Sequence, residues 1–318
     1  MANLKRKVVL IGTGMVGMSF AYAALNQSIC DELVLIDLNA QRAHGEAMDL
    51  NHGLAFSNSS MQIYFGNYFD CGDADVVVIC AGVAQKEGET RLSLLQRNYK
   101  VFESIVPRVV NSGFDGIFLV ATNPVDIMTR ITYELSGFNA AKVIGTGTTL
   151  DTARLRYLLG KYFDIDPRHM HAYVIGEHGD SEFVPWNQAV MAVNPIMDVL
   201  EKYPGRYSIE DLQKIENEVR TAAYEIIKAK GSTYYGIGMA ICRIVRAIFH
   251  NENSVFTTSV RLRGEYCLRK EVFIGNPCII NSGGANRVLE LRLTDDELAK
   301  FKKSYEILDE SFNSISGC

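Results

Sequence analysis

Three segments carry residue types that suit proton transfer and anion binding. "VIGEHGD" sets His178 between Gly176 and Gly179, at the end of an apolar run that reads as a strand. Imidazole changes charge near neutral pH, and a glycine-flexed turn with acids beside it favours a working histidine over a structural one. "GTGTTLDTARLR" follows another strand-like run and holds Asp151, Arg154 and Arg156. Taken alone, these three also read as a helix N-terminal acid and solvated arginines. "ATNPVD" puts Asn123 at a strand end, before a proline. All three segments fall at the carboxyl ends of expected strands, where open α/β sheets bind ligands. A fourth segment, "AGVAQKEGETR", leaves a buried run and enters a helical pattern. It reads as a solvated connection or as a lid that carries a neutral Gln85 and a cationic Arg91.

A separate pattern points to a cofactor. "VVLIGTGMVG" places Gly12, Gly14 and Gly17 between a strand and a helix, and "LVLID" ends a second strand in Asp37, 20 residues after Gly17. The spacing suits a dinucleotide: the pyrophosphate meets the helix N-terminus, and the carboxylate accepts from the adenosine ribose hydroxyls. Asp37 would repel a 2′-phosphate, which favours NAD over NADP. FAD proteins share this fingerprint, so the hydride chemistry must be argued from the other segments.

These motifs need a frame. The 318 residues give ample length for a buried core, and at 47% apolar residues with interspersed charge the chain is neither disordered nor fibrous. The net charge of −5 argues against a general nucleic-acid binder. Seven cysteines, an odd number with no C-x-x-C spacing, argue against a disulfide framework or a zinc cluster and fit a reducing cytoplasm. No metal is expected. The N-terminal "KRKVVLIGTGMVGMSFAYAAL" loosely imitates a secretory signal, but its glycines resolve it better as strand, turn and helix. No other run is long and apolar enough for a membrane span.

Apolar runs at 7–11, 33–36, 76–80, 116–121 and 142–145 alternate with helix-period segments, the signature of a parallel sheet with crossover helices. Long helical patterns follow at about 208–230 and 234–250, with Ser208 and Asp211 as a capping box. Then "SVFTTSVRL", "VFIGNPCII" and "RVLELRL" alternate as antiparallel strands do, and a last helix starts at Thr294 with Glu297 three residues on. The expected fold is α/β: a Rossmann-type doubly wound parallel sheet over 1–146, then an α+β substrate-binding domain over 147–318.

In order and spacing, "GTGMVG", "AGVAQKEGETR", "ATNPVD", "GTGTTLDTARLR", "VIGEHGD" and "KGSTYYGIG" resemble the L-lactate dehydrogenases of the lactate/malate dehydrogenase family, most of all the bacterial branch. The resemblance implies NADH-dependent reduction of pyruvate to L-lactate. It makes His178 the proton donor and acceptor, Asp151 the carboxylate that orients and charges it, and Arg154 a bidentate partner for the substrate carboxylate. Arg91, delivered by the lid, polarises the carbonyl, and Gln85 faces the C3 substituent. Asn123 joins the same hydrogen-bonded cluster and Thr233 lines the pocket. Thr146 and the backbone of Ala121, Thr122 and Asn123 lie by the nicotinamide, and Val16, Arg42, Tyr68, Gly82, Val83 and Ser104 lie along the cofactor. The Asn123–Pro124 bond is expected to be cis.

The resemblance also implies regulation and assembly. Arg156, two residues from Arg154, points elsewhere on its helix. With His171 it matches the positions that mark bacterial enzymes activated by fructose 1,6-bisphosphate, where pairs from two subunits share one activator across a two-fold axis. A cytoplasmic homotetramer is expected. The long N-terminal arm of animal relatives is absent, so arm-exchanged tetramers are not. Two departures stand out: Glu87 where the lid usually has proline, and "EFVPWNQA", which sets Pro185 one place late and Asn187 where serine is common. Malate dehydrogenase, a branched 2-hydroxy-acid dehydrogenase and a non-catalytic NAD-binding protein are the alternatives.

Overall fold

In a computed structural model, described over residues 6–83 and 91–316 and without the side chains of Arg91 and Ser316, strands and helices alternate through the first half. The order is β1 (Lys7–Ile11), α1 (Met15–Gln27), β2 (Glu32–Ile36), α2 (Ala40–Leu54), β3 (Gln62–Phe65), β4 (Val76–Ile79), α3 (Arg91–Asn111), β5 (Ile117–Val120), α4 (Val125–Ser136) and β6 (Val143–Gly145). Every residue of β1, β4, β5 and β6 is buried. Continuous Val/Ile/Leu runs of this kind suit strands covered on both faces by helices. These six strands pair in parallel in the order 3-2-1-4-5-6, so their carboxyl ends lie along one rim.

The second half opens with α5 (Thr149–Phe163), then the short strands β7 (Met170–His171), β8 (Val190–Met191) and β9 (Asn194–Pro195) and the helices α6 (Ile196–Lys202), α7 (Ile209–Lys230) and α8 (Tyr235–Phe249). The antiparallel strands β10 (Ser254–Leu262), β11 (Val272–Asn281) and β12 (Gly284–Val288) precede α9 (Asp295–Ser316). β10 joins β6 through Ser259 opposite Gly145, so one nine-stranded sheet runs through both halves among the described residues. A second apolar cluster under α5, α6 and α7 gathers Leu155, Leu159, Val174, Leu212 and Val219.

Local chemistry explains the ends. Ser208 Oγ accepts the Asp211 N–H at 3.1 Å, but the Asp211 carboxylate turns to Tyr162 and Lys214, so only half of that capping box forms. Thr294 and Glu297 make both halves of theirs, at 3.3 and 2.9 Å.

Two expectations are corrected. "RVLELRL" is strand only to Val288. The next pair would set Leu289 against Pro277. Leu289 N–H does donate to Pro277 O at 2.8 Å, but proline has no N–H to return, and Asn276 Nδ2 takes the Leu289 carbonyl instead. The run before His178 is not a strand either; only single bridges hold it, Ile175 to Phe183 and Gly176 to Gly275. Threonine hydroxyls occupy its backbone: Thr148 Oγ1 donates to Val174 O at 2.6 Å, and Val174 N–H donates to Thr152 Oγ1 at 2.9 Å. The described cysteines Cys30, Cys71, Cys80, Cys242, Cys267 and Cys278 are free thiols. No described helix is long and apolar enough to cross a membrane.

Candidate active site

The acid, arginine and histidine of the second half meet at the carboxyl rim of the parallel strands. Asp151 enters on the first turn of α5, directly after β6, and is 1% exposed. Its Oδ2 lies 2.6 Å from His178 Nδ1, and its Oδ1 accepts from Arg154 at 2.8 Å, one helical turn on. A carboxylate at Nδ1 fixes the proton there and leaves Nε2 to meet a ligand. Asp126, buried in α4, accepts the His178 backbone N–H at 2.8 Å, so two acids from two helices pin this bend.

Charge follows from these contacts. Burial alone would lower the His178 pKa, but the charge of Asp151 and its hydrogen bond raise it to about 9. Asp151 is pulled the other way: burial opposes its ionisation, and His178 and Arg154 hold its pKa below the usual carboxylate range. Burial pushes Asp126 up to about 6.

A cavity of about 570 Å³ surrounds these groups. His178, Asp151, Arg154, Asn123 and Pro124 line it, with Leu92, Leu94 and Leu95 of α3, Arg220 and Tyr224 of α7 and Ile307 of α9. Thr233 is half-buried in the turn between α7 and α8 and is not among the described lining residues. Gln85 and Glu87, and the side chain of Arg91, lie outside the described residues; Arg91 is the first residue of α3. A larger hollow of about 770 Å³ sits at the opposite, amino ends of the strands. It holds none of the motif residues, and its Arg6 and Lys142 are paired with Asp31 and Asp115.

The glycine-rich turn lies beside this site. Gly12 has φ +102° and packs on Ala81, where an added Cβ would come within 2.5 Å of backbone. A Cβ on Gly17 would collide with Gly12 O. Space around Gly14, the first residue before α1, is open, as a phosphate approach requires. Half-buried Asp37 accepts the N–H and hydroxyl of Thr13 at 2.8 and 2.9 Å and the Asn39 N–H at 2.9 Å. Partial burial works against ionisation, but these donors hold the carboxyl below its usual range, so it stays anionic. An open phosphate cradle beside a fixed carboxylate fits NAD.

The remaining expected cofactor residues are spread along the same rim. Val16 is half-buried in the first turn of α1. Arg42 on α2 is ion-paired with Glu46 at 3.7 Å, and Tyr68 lies under the Arg108 guanidinium at 5.3 Å. Gly82 and Val83 follow β4, and Ser104 is exposed on α3. Ala121, Thr122 and Asn123 follow β5; Thr122 Oγ1 donates to Ala81 O at 2.7 Å, and the Asn123–Pro124 bond is cis. Thr146 is buried, its N–H on Val120 O at 2.9 Å.

Arg156 does point away from Arg154. Its Nε donates to Ala172 O at 3.1 Å and its guanidinium lies 5.0 Å from the Tyr173 ring; His171, exposed on β7, directly precedes these two residues in the chain. Asn187 Nδ2 donates to Arg292 O at 2.8 Å, away from the cavity.

Three further residues were not anticipated. Asn98 of α3, 1% exposed, accepts from Val83 N–H at 2.8 Å and donates to Asn123 O at 3.0 Å, clamping two rim loops. Arg220 reaches the cavity from α7. Glu182 lies 5% exposed with Oε2 4.0 Å from His178 Nδ1, and the available signal was its spacing of four from the histidine.

Known proteins share the sequence and fold of this chain. Residues 6–145 match the lactate/malate dehydrogenase NAD-binding domain and residues 148–316 the family's alpha/beta C-terminal domain. The chain is 51% identical over 309 residues to L-lactate dehydrogenase 2 of Bacillus cereus, covering 97% of this chain and 98% of that protein. It superposes with a TM-score of 0.96 on a lactate dehydrogenase from a Medee basin deep-sea metagenome library, at 50% identity over 98% of this chain and 99% of that one. The ligand-bound minor L-lactate dehydrogenase of Enterococcus mundtii gives 0.96 at 45% identity over the same shares. The chain thus belongs to the lactate/malate dehydrogenase family of NAD-dependent oxidoreductases.

Proposed function

We propose that this protein is an L-lactate dehydrogenase, reducing pyruvate reversibly to L-lactate with His178 as proton donor and acceptor. The observation that carries the reading is His178 held at 2.6 Å by Asp151, with Arg154 on the same carboxylate, inside one cavity at the strand ends. Relatives of about half identity named L-lactate dehydrogenase support it.

Bound NADH supplies the hydride. His178 gives its proton to the carbonyl oxygen, completing the alcohol, and takes it back in the reverse direction. Asp151 keeps the imidazole in the useful tautomer and charged. Arg154, steadied by Asp151, keeps guanidinium donors for the substrate carboxylate, which would otherwise lose its hydration uncompensated. Asn123 donates within the same cluster, Arg91 polarises the carbonyl from the start of α3, and the family resemblance assigns Thr233, in the α7–α8 turn, to the lining of the substrate pocket. Residues 1–146 bind the cofactor: Gly12, Gly14 and Gly17 meet the pyrophosphate, Asp37 the ribose, and Thr146 and 121–123 the nicotinamide. Val16, Arg42, Tyr68, Gly82, Val83 and Ser104 line its length. Residues 147–318 supply the catalytic groups.

Gln85 decides among keto acids. A neutral side chain suits a methyl group, whereas the second carboxylate of oxaloacetate would be buried unpaired. Pyruvate is therefore preferred by ~10²-fold or more, and Gln85→Arg moves preference towards oxaloacetate. NADH oxidation with pyruvate, oxaloacetate and 2-ketoisocaproate tests this reading. Equal efficiency on pyruvate and oxaloacetate would contradict it.

Arg156 and His171 form a regulatory site for fructose 1,6-bisphosphate in a cytoplasmic homotetramer. Pairs from two subunits repel across a two-fold axis until a bisphosphate neutralises them. The placement of Arg156 against the residues that follow His171 supports this assignment.

A further inference from the structure

The proposed reaction leaves one buried acid of the site without a task. The buried carboxyl group of Glu182 lies beside that of Asp151, at the same histidine. One polar atom from each of Asp151, His178 and Glu182 lies within 4.8 Å of the other two. Two carboxylates offer only acceptors, so a hydrogen bond between them requires a proton. Like charges this close in a buried site cannot both ionise.

The neighbours decide which acid keeps the proton. Asp151 faces two cations, His178 at 2.6 Å and Arg154 at 2.8 Å. Among the described residues the closest cationic partner of Glu182 is His178 Nδ1, at 4.0 Å. From α7, Arg220 meets Glu182 only at its backbone carbonyl, 3.1 Å away, and shares the same nitrogen with Glu216. From α4, Asp126 adds negative charge behind His178. Burial and the charge of Asp151 both drive the Glu182 pKa far up.

We propose that Glu182 is a positioning residue that stays protonated at neutral pH and donates to Asp151, leaving Asp151 the single anion that faces His178 and Arg154. The inference rests on the substrate reading given above. With Glu182 neutral, His178, Arg154 and Asp151 leave a single positive charge on the side that faces the ligand, Asp126 lying behind on the His178 backbone, and an incoming keto-acid anion cancels it. Ionised Glu182 would turn that balance negative. Substrate binding therefore holds the Glu182 proton in place, and at alkaline pH it draws a proton back onto Glu182 as well as onto His178.

Two measurements test this. The first is infrared difference spectroscopy at neutral pH between the unmodified protein and Glu182→Gln. The proposal expects a carboxylic-acid C=O band in the unmodified protein that Glu182→Gln loses, and Glu182→Leu should lose the same band. Absence of that band overturns the proposal. The second counts protons taken up when oxamate, the amide isostere of pyruvate, binds the NADH complex, by calorimetry in buffers of different ionisation heat above the His178 value of about 9. Uptake should approach about two protons in the unmodified protein and about one in Glu182→Gln. One proton in both overturns the role of Glu182. No uptake in either refutes the His178 reading instead, and the infrared band then decides Glu182 alone.

Discussion

The proton on His178 sets how the site responds to pH. Asp151 raises the imidazole from its ordinary 6.5 to about 9, so the charged form that the proposed reaction requires persists through neutral pH. The value of kcat/KM for pyruvate should be level near neutral and fall above about 9, approaching about a hundredfold per pH unit as His178 and Glu182 both lose their protons, while kcat/KM for lactate should rise up to about 9 and level off above it. The same raised value stabilises the fold. That contribution is complete below 6.5 and is lost as pH rises through about 9. A pH–rate profile checks the first statement; a midpoint near 6.5 would mean that Asp151 does not charge the ring. His178 stood out on its glycine-flexed turn, whereas Asp151 and Arg154 taken alone read as a helix-start acid and a solvated arginine, and only the ordered set of motifs singled them out. Glu182 and Asn98 were not: their importance arises when distant turns pack together, and "SEF" and "QRN" say nothing of which backbone they will meet.

At the level of elements, the position of His178 depends on threonines rather than on a strand. Thr152 Oγ1 accepts the Val174 N–H and pairs with Thr257 Oγ1 at 2.8 Å, fully buried. Thr152→Val would leave both groups without partners, so it should cost about 1–3 kcal/mol in a urea titration and raise the KM for pyruvate. Unchanged stability would show that the loop holds itself. This contact also explains the misread strand: alternation marks which side chains are buried, but not whether the backbone finds a strand or a hydroxyl. Pro277 ended "RVLELRL" for a related reason, because the missing N–H sits on the partner strand. The buried runs β1, β4, β5 and β6 and the long helices α7 and α8 were plain from periodicity, whereas β7–β9, two residues each, carry too little pattern to read.

At the scale of the molecule, one sheet among the described residues runs through the first and second halves of the chain, and the proposed regulation acts between copies of it. Fructose 1,6-bisphosphate should lower the KM for pyruvate. Arg156→Gln should remove the activation. Titrating the bisphosphate at limiting pyruvate checks this, and activation untouched by the substitution would leave Arg156 a structural partner of Ala172 and Tyr173 only. Net charge and cysteine usage bounded the class of molecule, but the neighbour a subunit meets is not written in one chain's periodicity.

The central claim is that His178 handles the substrate proton, and His178→Asn tests it most directly. NADH oxidation with pyruvate, measured beside an NADH fluorescence titration, should show turnover reduced by about 10²–10⁴-fold with cofactor binding intact. Near-normal turnover with intact NADH binding would contradict it.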